Sequence, residues 1–236
     1  MTQVNDWTTD NQEGGPFRQQ LNGILGAIQS SSSGPVEPSP KVPGMFWFDT
    51  SVDPAVLRQR NAANTGWTPL MNKIKETIVS SASPVASVDF SLPTSEFTHF
   101  EIIANDLVFS NTDRFMQMRT SGSGLGAFDE GAADYHYEAL YGDAAVPQAA
   151  GAAYSSVIVT AGSNNTIPAR ARIDIFDPGD ASPTGIQSQF TCMSPANDLR
   201  SGVFGGYRVS STAVNAVRLM PNADTFSGKF SLYGRV

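Results

Sequence analysis

A single cysteine, Cys192, stands in 236 residues. It rules out an intramolecular disulfide framework and a cysteine-based zinc site, and predicts a small buried hydrophobe at that position. Two histidines, His99 and His136, leave little for histidine-based metal chemistry, so neither a metal nor a cofactor is expected. Basic residues are scarce: Lys and Arg number 15 against 22 Asp and Glu, a net charge of −7 that argues against binding nucleic acid by neutralising phosphates. No run approaches the roughly 18 apolar residues that span a bilayer, so membrane insertion is not expected. The opening Met-Thr-Gln-Val-Asn-Asp-Trp lacks the positive and apolar regions of a signal peptide, which predicts a chain made in the cytoplasm without export. Catalytic signatures are also lacking. There is no Ser-His-Asp order with a nucleophile elbow and no cluster of histidines and carboxylates, so the expectation is a non-enzyme. A lone carboxylate pair for glycoside hydrolysis stays open.

What the chain does have is turn chemistry. Glycine (21) and proline (15), with many Ser, Thr and Asn, end strands and build hairpins, while 40% apolar and 10% aromatic residues suffice for a core. These proportions predict a mainly β protein with little helix. From residue 85 onward the strand signals recur over Val88–Leu92, Phe97–Ala104, Phe115–Thr120, Tyr135–Tyr141, Ser155–Thr160, Ala169–Phe176, Ile186–Met193, Val203–Ser210, Ala216–Met220 and Gly228–Gly234. Gly, Pro, Asn, Asp or Ser clusters separate them, and no long helix intervenes. The pattern predicts an antiparallel β-sandwich, jelly-roll-like, over residues 85–236. Arg170, Arg172 and Asp174 alternate with Ala171, Ile173 and Ile175, so one face of that strand should be wet and the other buried.

The first 84 residues read differently. Residues 1–15 form a polar extended arm with Trp7 as its one large anchor. Phe17, Leu21, Ile24, Leu25 and Ile28 follow at helical spacing behind Pro16, which suits a first helical position. A helix of about three turns is not stable alone, so its apolar stripe needs a partner. The Ser/Pro-rich stretch 30–43 reads as a linker that spans distance more than it packs. Gly44–Asp49, Leu57–Arg60 and Gly66–Leu70 are short extended candidates that would bring Trp67 back toward Trp47. So small a sheet is marginal in water and should be docked or oligomeric. Leu70, Met71, Ile74 and Ile78 predict a second helix or connector before a boundary near residue 84. Residues 16–84 thus form a helix, linker and Trp-hairpin module.

Two stretches carry a family resemblance. Phe17-Arg-Gln-Gln-Leu-Asn, Gly44-Met-Phe-Trp-Phe-Asp-Thr-Ser, Leu57-Arg-Gln-Arg-Asn and Asn64-Thr-Gly-Trp-Thr-Pro-Leu, spread over residues 16–71, resemble the N-terminal segments of tailed-bacteriophage tail fibre and other virion appendage proteins. The runs Phe97-Thr-His-Phe-Glu-Ile-Ile, Phe115-Met-Gln-Met-Arg-Thr-Ser and Asp134-Tyr-His-Tyr, with a closing Gly228-Lys-Phe-Ser-Leu-Tyr-Gly, are similar to sandwich domains of phage structural proteins. The resemblance implies a virion protein released by lysis, assembled with itself and with other virion proteins of tail or capsid. The expected state is a homotrimer, since a helix and a small hairpin gain buried area around a three-fold axis, as they would in any closed ring. Phe17, Leu21, Leu25, Trp47 and Trp67 are the candidate attachment and oligomer-interface residues. The alternative is that the two tryptophans only hold the module together.

For the sandwich, Tyr135, His136, Tyr137 and Tyr141 are the candidate glycan-binding residues, because aromatic rings with polar edges stack on sugars and bond their hydroxyls. In a strand the three tyrosines share one face and His136 the other, so core packing of the tyrosine face competes with that role. Asp129, Glu130, Asp134 and Asp143 flank this strand without calcium-loop spacing and read as a solvated loop. Arg119 with Ser121 and Ser123, in a glycine-rich turn that lacks a phosphate loop's Lys, reads as part of a long hairpin connection. Three functions remain: a tail fibre or spike binding a host-surface glycan or protein, a purely structural capsid fibre or decoration, and a polysaccharide depolymerase, against which the short chain and lack of a solenoid repeat argue.

Overall fold

A computed structural model describes residues 13–29, 31–53, 55–70, 72–143 and 146–235. The arm expected over 1–15 lies outside these up to residue 12. The fold is mainly β, with one helix near the N-terminus followed by antiparallel sheets. The chain forms two compact units, Met1–Asn72 with the last two residues, and Lys73–Gly234.

In the first unit α1 (Gly14–Gln29) has Pro16 in its first turn, where a missing N–H costs nothing. It ends where Ser31 and Ser32 take positive φ and Ser32 N donates to Ala27 O at 2.7 Å. Strands β1 (Phe46–Asp49), β2 (Val56–Arg60) and β3 (Trp67–Pro69) form an antiparallel sheet in that order, pairing Trp47 with Arg58 and Arg60 with Trp67. The Ser/Pro stretch does pack: Ser32 and Ser33 are buried, and Gly34 bridges Asp49 alongside β1.

The second unit opens with β4 (Asn72–Val79, whose first residue belongs to the other unit), where the spacing predicts a helix. Leu70, Ile74 and Ile78 are four apart, and an even spacing also keeps residues on one face of a strand, so the helical signal was degenerate. The β-branched Thr77, Ile78 and Val79 favour the extended form. Eleven further strands follow: β5 (Val88–Ser91), β6 (His99–Phe109), β7 (Met116–Ser121), β8 (Tyr135–Asp143), β9 (Val146–Tyr154), β10 (Val157–Ile158), β11 (Ala169–Phe176), β12 (Gly185–Met193), β13 (Leu199–Arg208), β14 (Ala216–Pro221) and β15 (Phe226–Arg235).

These strands make a four-stranded sheet, β10-β7-β14-β5, and an eight-stranded sheet, β4-β15-β6-β11-β12-β13-β8-β9. The chain alternates between them: β5, β7, β10 and β14 lie in the small sheet and the strands between them in the large one. That wrapping is jelly-roll-like. The core lies between the sheets. Val157, Met118, Leu219 and Val88 form one buried row of the small sheet, and Phe100, Ile175 and Ile186 one of the large sheet. The Tyr135 hydroxyl and the Ser188 hydroxyl bridge the layers, to Thr120 N and Val159 O.

Candidate functional site

The tryptophan module is built around a buried carboxylate. Asp49 Oδ1 accepts from Ser51 N (2.9 Å) and Ser51 Oγ (2.6 Å), and Oδ2 accepts from Arg58 Nε at 2.9 Å. Burial pushes the Asp49 carboxyl up, but the Ser51 hydrogen bonds and Arg58 outweigh it and hold it below the ordinary aspartate value. Trp47 is buried and donates its Nε1–H to Gly34 O at 3.0 Å. Trp67 packs on it with ring centroids 5.3 Å apart, donates to Glu37 Oε2 at 2.8 Å, and carries the Arg60 guanidinium over its ring. The hairpin geometry read from the sequence is therefore present. Trp47 has little surface left for a partner, while Trp67 is half-buried.

The helix presents the opposite case. Ile24 and Ala27 are buried, whereas Phe17 and Leu21 (38% exposed each), Leu25 (54%) and Ile28 (60%) are uncovered. The apolar arc is wider than the part of it that is covered.

In the sandwich, Tyr135 and Tyr137 belong to the core. Tyr135 is buried, its hydroxyl accepts from Thr120 N at 2.7 Å, and burial pushes its pKa up to about 12. Tyr137 is raised too, first by burial. For Tyr137 and Tyr141 the neighbouring strand makes room. Gly202 and Gly206 of β13 pair with Tyr141 and Tyr137, and a Cβ on Gly206 would lie 2.7 Å from Tyr137 Cβ, so the glycines make room for the tyrosines. Phe204 fills the space between, 6.3 Å from the Tyr137 ring and 6.1 Å from Tyr141. Tyr135 and Tyr137 therefore have no ring face for a sugar. Tyr141 is half-buried on the same inner side, and His136 alone of the four faces outward.

The loop carboxylates are used locally. Asp129 Oδ2 accepts from Thr120 Oγ1 (3.0 Å) and from the buried Arg208 Nε (2.7 Å), which also holds Thr212. This is an anchored strut, where the sequence suggests a solvated loop. Glu130 pairs with Arg119, and Asp134 accepts from Gly131 N at 2.6 Å; the Asp143 side chain lies outside the described residues. The Ser121–Gly126 turn is a connection between β7 and β8, tied down by Asn215 at Gly122 O and Gly124 N.

The outer face of the eight-stranded sheet is the surface that sequence reasoning missed. Register places His99, Phe176, Gly185, Tyr207 and His136 in one row across β6, β11, β12, β13 and β8. The next row holds Glu101, Asp174, Gln187, Gly205 and Glu138. His99 packs on Phe176 (centroids 4.8 Å) and His136 stacks on Tyr207 (5.4 Å, planes 18° apart). Asp174 Oδ1 lies 3.0 Å from His99 Nε2, and Arg172 is neutralised by Glu101 and Asp174 at 3.0 and 3.2 Å. Farther along the strands an open hollow of about 490 Å³ is lined by Arg170, Gln189, Thr191, Ser201 and Val203 among others. A signal for this face existed: Phe176 has the parity of the polar residues Arg172 and Asp174, so its ring had to point outward.

Neither a scan against models of known protein families nor a search of curated proteins finds a match for this chain. Among the described residues no group of three His, Cys, Asp or Glu side chains is placed to hold a metal ion, and no helix is long and apolar enough to cross a membrane.

Proposed function

We propose that the protein is a non-enzymatic structural component of a tailed-phage virion, a tail fibre or spike. Its N-terminal module joins it to copies of itself, as a trimer, and to other virion proteins, and its sandwich is displayed for host-surface binding. The motif resemblance over residues 16–71 supports the class. The observation that carries the reading is the uncovered apolar stripe Phe17, Leu21, Leu25 and Ile28 on a helix whose other edge, Ile24 and Ala27, is already buried. A helix of this length draws its stability from packing, and three copies of the stripe meeting on an axis would supply it. Trp67, held by Glu37 and Arg60, is the second anchor for attachment.

Light scattering of the full chain beside the triple variant Phe17→Ser, Leu21→Ser, Leu25→Ser tests this. A trimeric mass that falls to a monomer in the variant is the expected result. A monomer in both sinks self-assembly through α1. Labelled protein applied to intact bacteria reads out the second half of the proposal: binding supports host recognition, and absence from every cell surface tried leaves a capsid fibre or decoration role.

A further inference from the structure

We propose that the outward row His99, Phe176, Tyr207 and His136 is a binding platform for an extended neutral oligosaccharide. The inference rests on the host-binding reading above and names the ligand class and the residues.

Four observations lead to it. First, the row is continuous and outward: its five positions occupy neighbouring strands, while the residues next to them, Phe100, Ile175, Ile186 and Tyr137, point into the core. At about 4.8 Å per strand the row runs roughly 19 Å, long enough for an extended oligosaccharide rather than one sugar. Second, the rings have free surface. Phe176 and Tyr207 are 38% and 44% exposed, and a pyranose offers an apolar C–H face that stacks on an aromatic ring. Third, a glycine opens the platform. A Cβ at Gly185 would lie 3.5 Å from the Phe176 ring, which leans over that glycine, while a Cβ at Gly205 would meet nothing within 4 Å. The backbone there can be approached closely.

Fourth, a polar row runs beside the aromatic one. Gln187 and Glu138 are exposed and supply amide and carboxylate groups for hydroxyls, while Asp174 holds the His99 ring in place. The charge of this row selects the ligand. Arg172 is occupied by the buried Glu101 and Asp174, so a carboxylate- or sulfate-bearing sugar would face the exposed Glu138 with no Lys or Arg among these ten positions. A neutral sugar meets no such repulsion.

The test uses the full chain on a printed panel of neutral fragments (β-glucan, mannan and N-acetylglucosamine oligomers) and anionic ones (galacturonan oligomers). The best binder is then measured by titration calorimetry. Wild type should bind a neutral oligomer, and Tyr207→Ser and Phe176→Ser should each weaken it by about tenfold, the loss expected when a stacked aromatic worth about 1.4 kcal/mol is removed. Leu140→Ser and Val203→Ser, two rows away on the same face, should leave affinity unchanged, and all four variants should keep the wild-type mass and melting curve. Binding to a neutral oligomer that survives Tyr207→Ser and Phe176→Ser overturns the platform while leaving host binding intact. Binding to anionic oligomers alone overturns it in favour of the Arg170 hollow. A change of mass in the variants overturns it by making this face a contact between copies. A wild type that binds no glycan and no cell defeats both the platform and the host-binding reading.

Discussion

At the scale of the residue, buried charges decide where the chain is rigid. Arg208 is buried, and its partner Asp129 ties the β7–β8 loop to the end of β13. Removing one member strands the other in a poorly solvated place, so Asp129→Ala should cost about 3 kcal/mol, read as a shift of the urea midpoint of the sandwich. Tyr135→Phe leaves Thr120 N without its acceptor and should cost about 1–2 kcal/mol by the same measurement. Asp49 gives a pH dependence of definite sign. Its folded-state pKa lies below the ordinary value, so its pairing stabilises the three-stranded unit above the unfolded aspartate pKa of about 3.9 and is lost as pH falls through the lower folded value. Tryptophan fluorescence, to which Trp47 and Trp67 contribute, should therefore change below about pH 4, and Asp49→Asn should flatten that limb while lowering stability at neutral pH.

At the scale of the element, β13 has two faces with different work. Its inner glycines accept the tyrosine rings of β8; its outer residues Val203 and Tyr207 lie open. An alanine at Gly202 would drive its Cβ into Tyr141 and Leu140 O, both on the paired strand and unable to retreat. Gly202→Ala should destabilise the sandwich by about 1–3 kcal/mol, whereas Gly205→Ala, on the open face, should cost well under 1 kcal/mol. Thermal unfolding of the pair separates the two faces of one strand. Element prediction succeeded where alternation was strong: β11 is read to the residue, because Arg170, Arg172 and Asp174 against Ala171, Ile173 and Ile175 admit one period. It failed at β4, whose four-residue spacing suits helix and strand alike. It also failed at β9, Val146–Tyr154, where Pro147, Gly151 and several alanines have low strand propensity and pairing with β8 overrides it.

At the scale of the whole molecule, the described residues of the two units differ in what they leave exposed. The sandwich closes a core between two sheets, while the N-terminal unit leaves four large apolar side chains of α1 uncovered. That asymmetry underlies the proposal of an assembling module joined to a displayed head. Recognition of a neutral glycan by stacking also predicts weak salt dependence: affinity should change less than about twofold between roughly 0.05 and 0.5 M NaCl, because no charge pair is there to be screened. A steep loss of affinity with salt, measured by the same calorimetry, would point to the arginines instead.

Fold class, the positions of most strands along the chain, the Trp47–Trp67 pairing and the exposed helix stripe were set by local pattern, since spacing and turn chemistry act over a few residues. The identity of the surface was not. Tyr137 and Tyr141 look like ligand residues in a string of letters, and the glycines of β13 that pair with them, more than sixty positions away, make room for their rings on the inner side of the sheet. The outer row joins His99, His136, Phe176, Gly185 and Tyr207 from five strands. Such a row depends on pairing register, which is a property of the assembled sheet and has no counterpart along the chain.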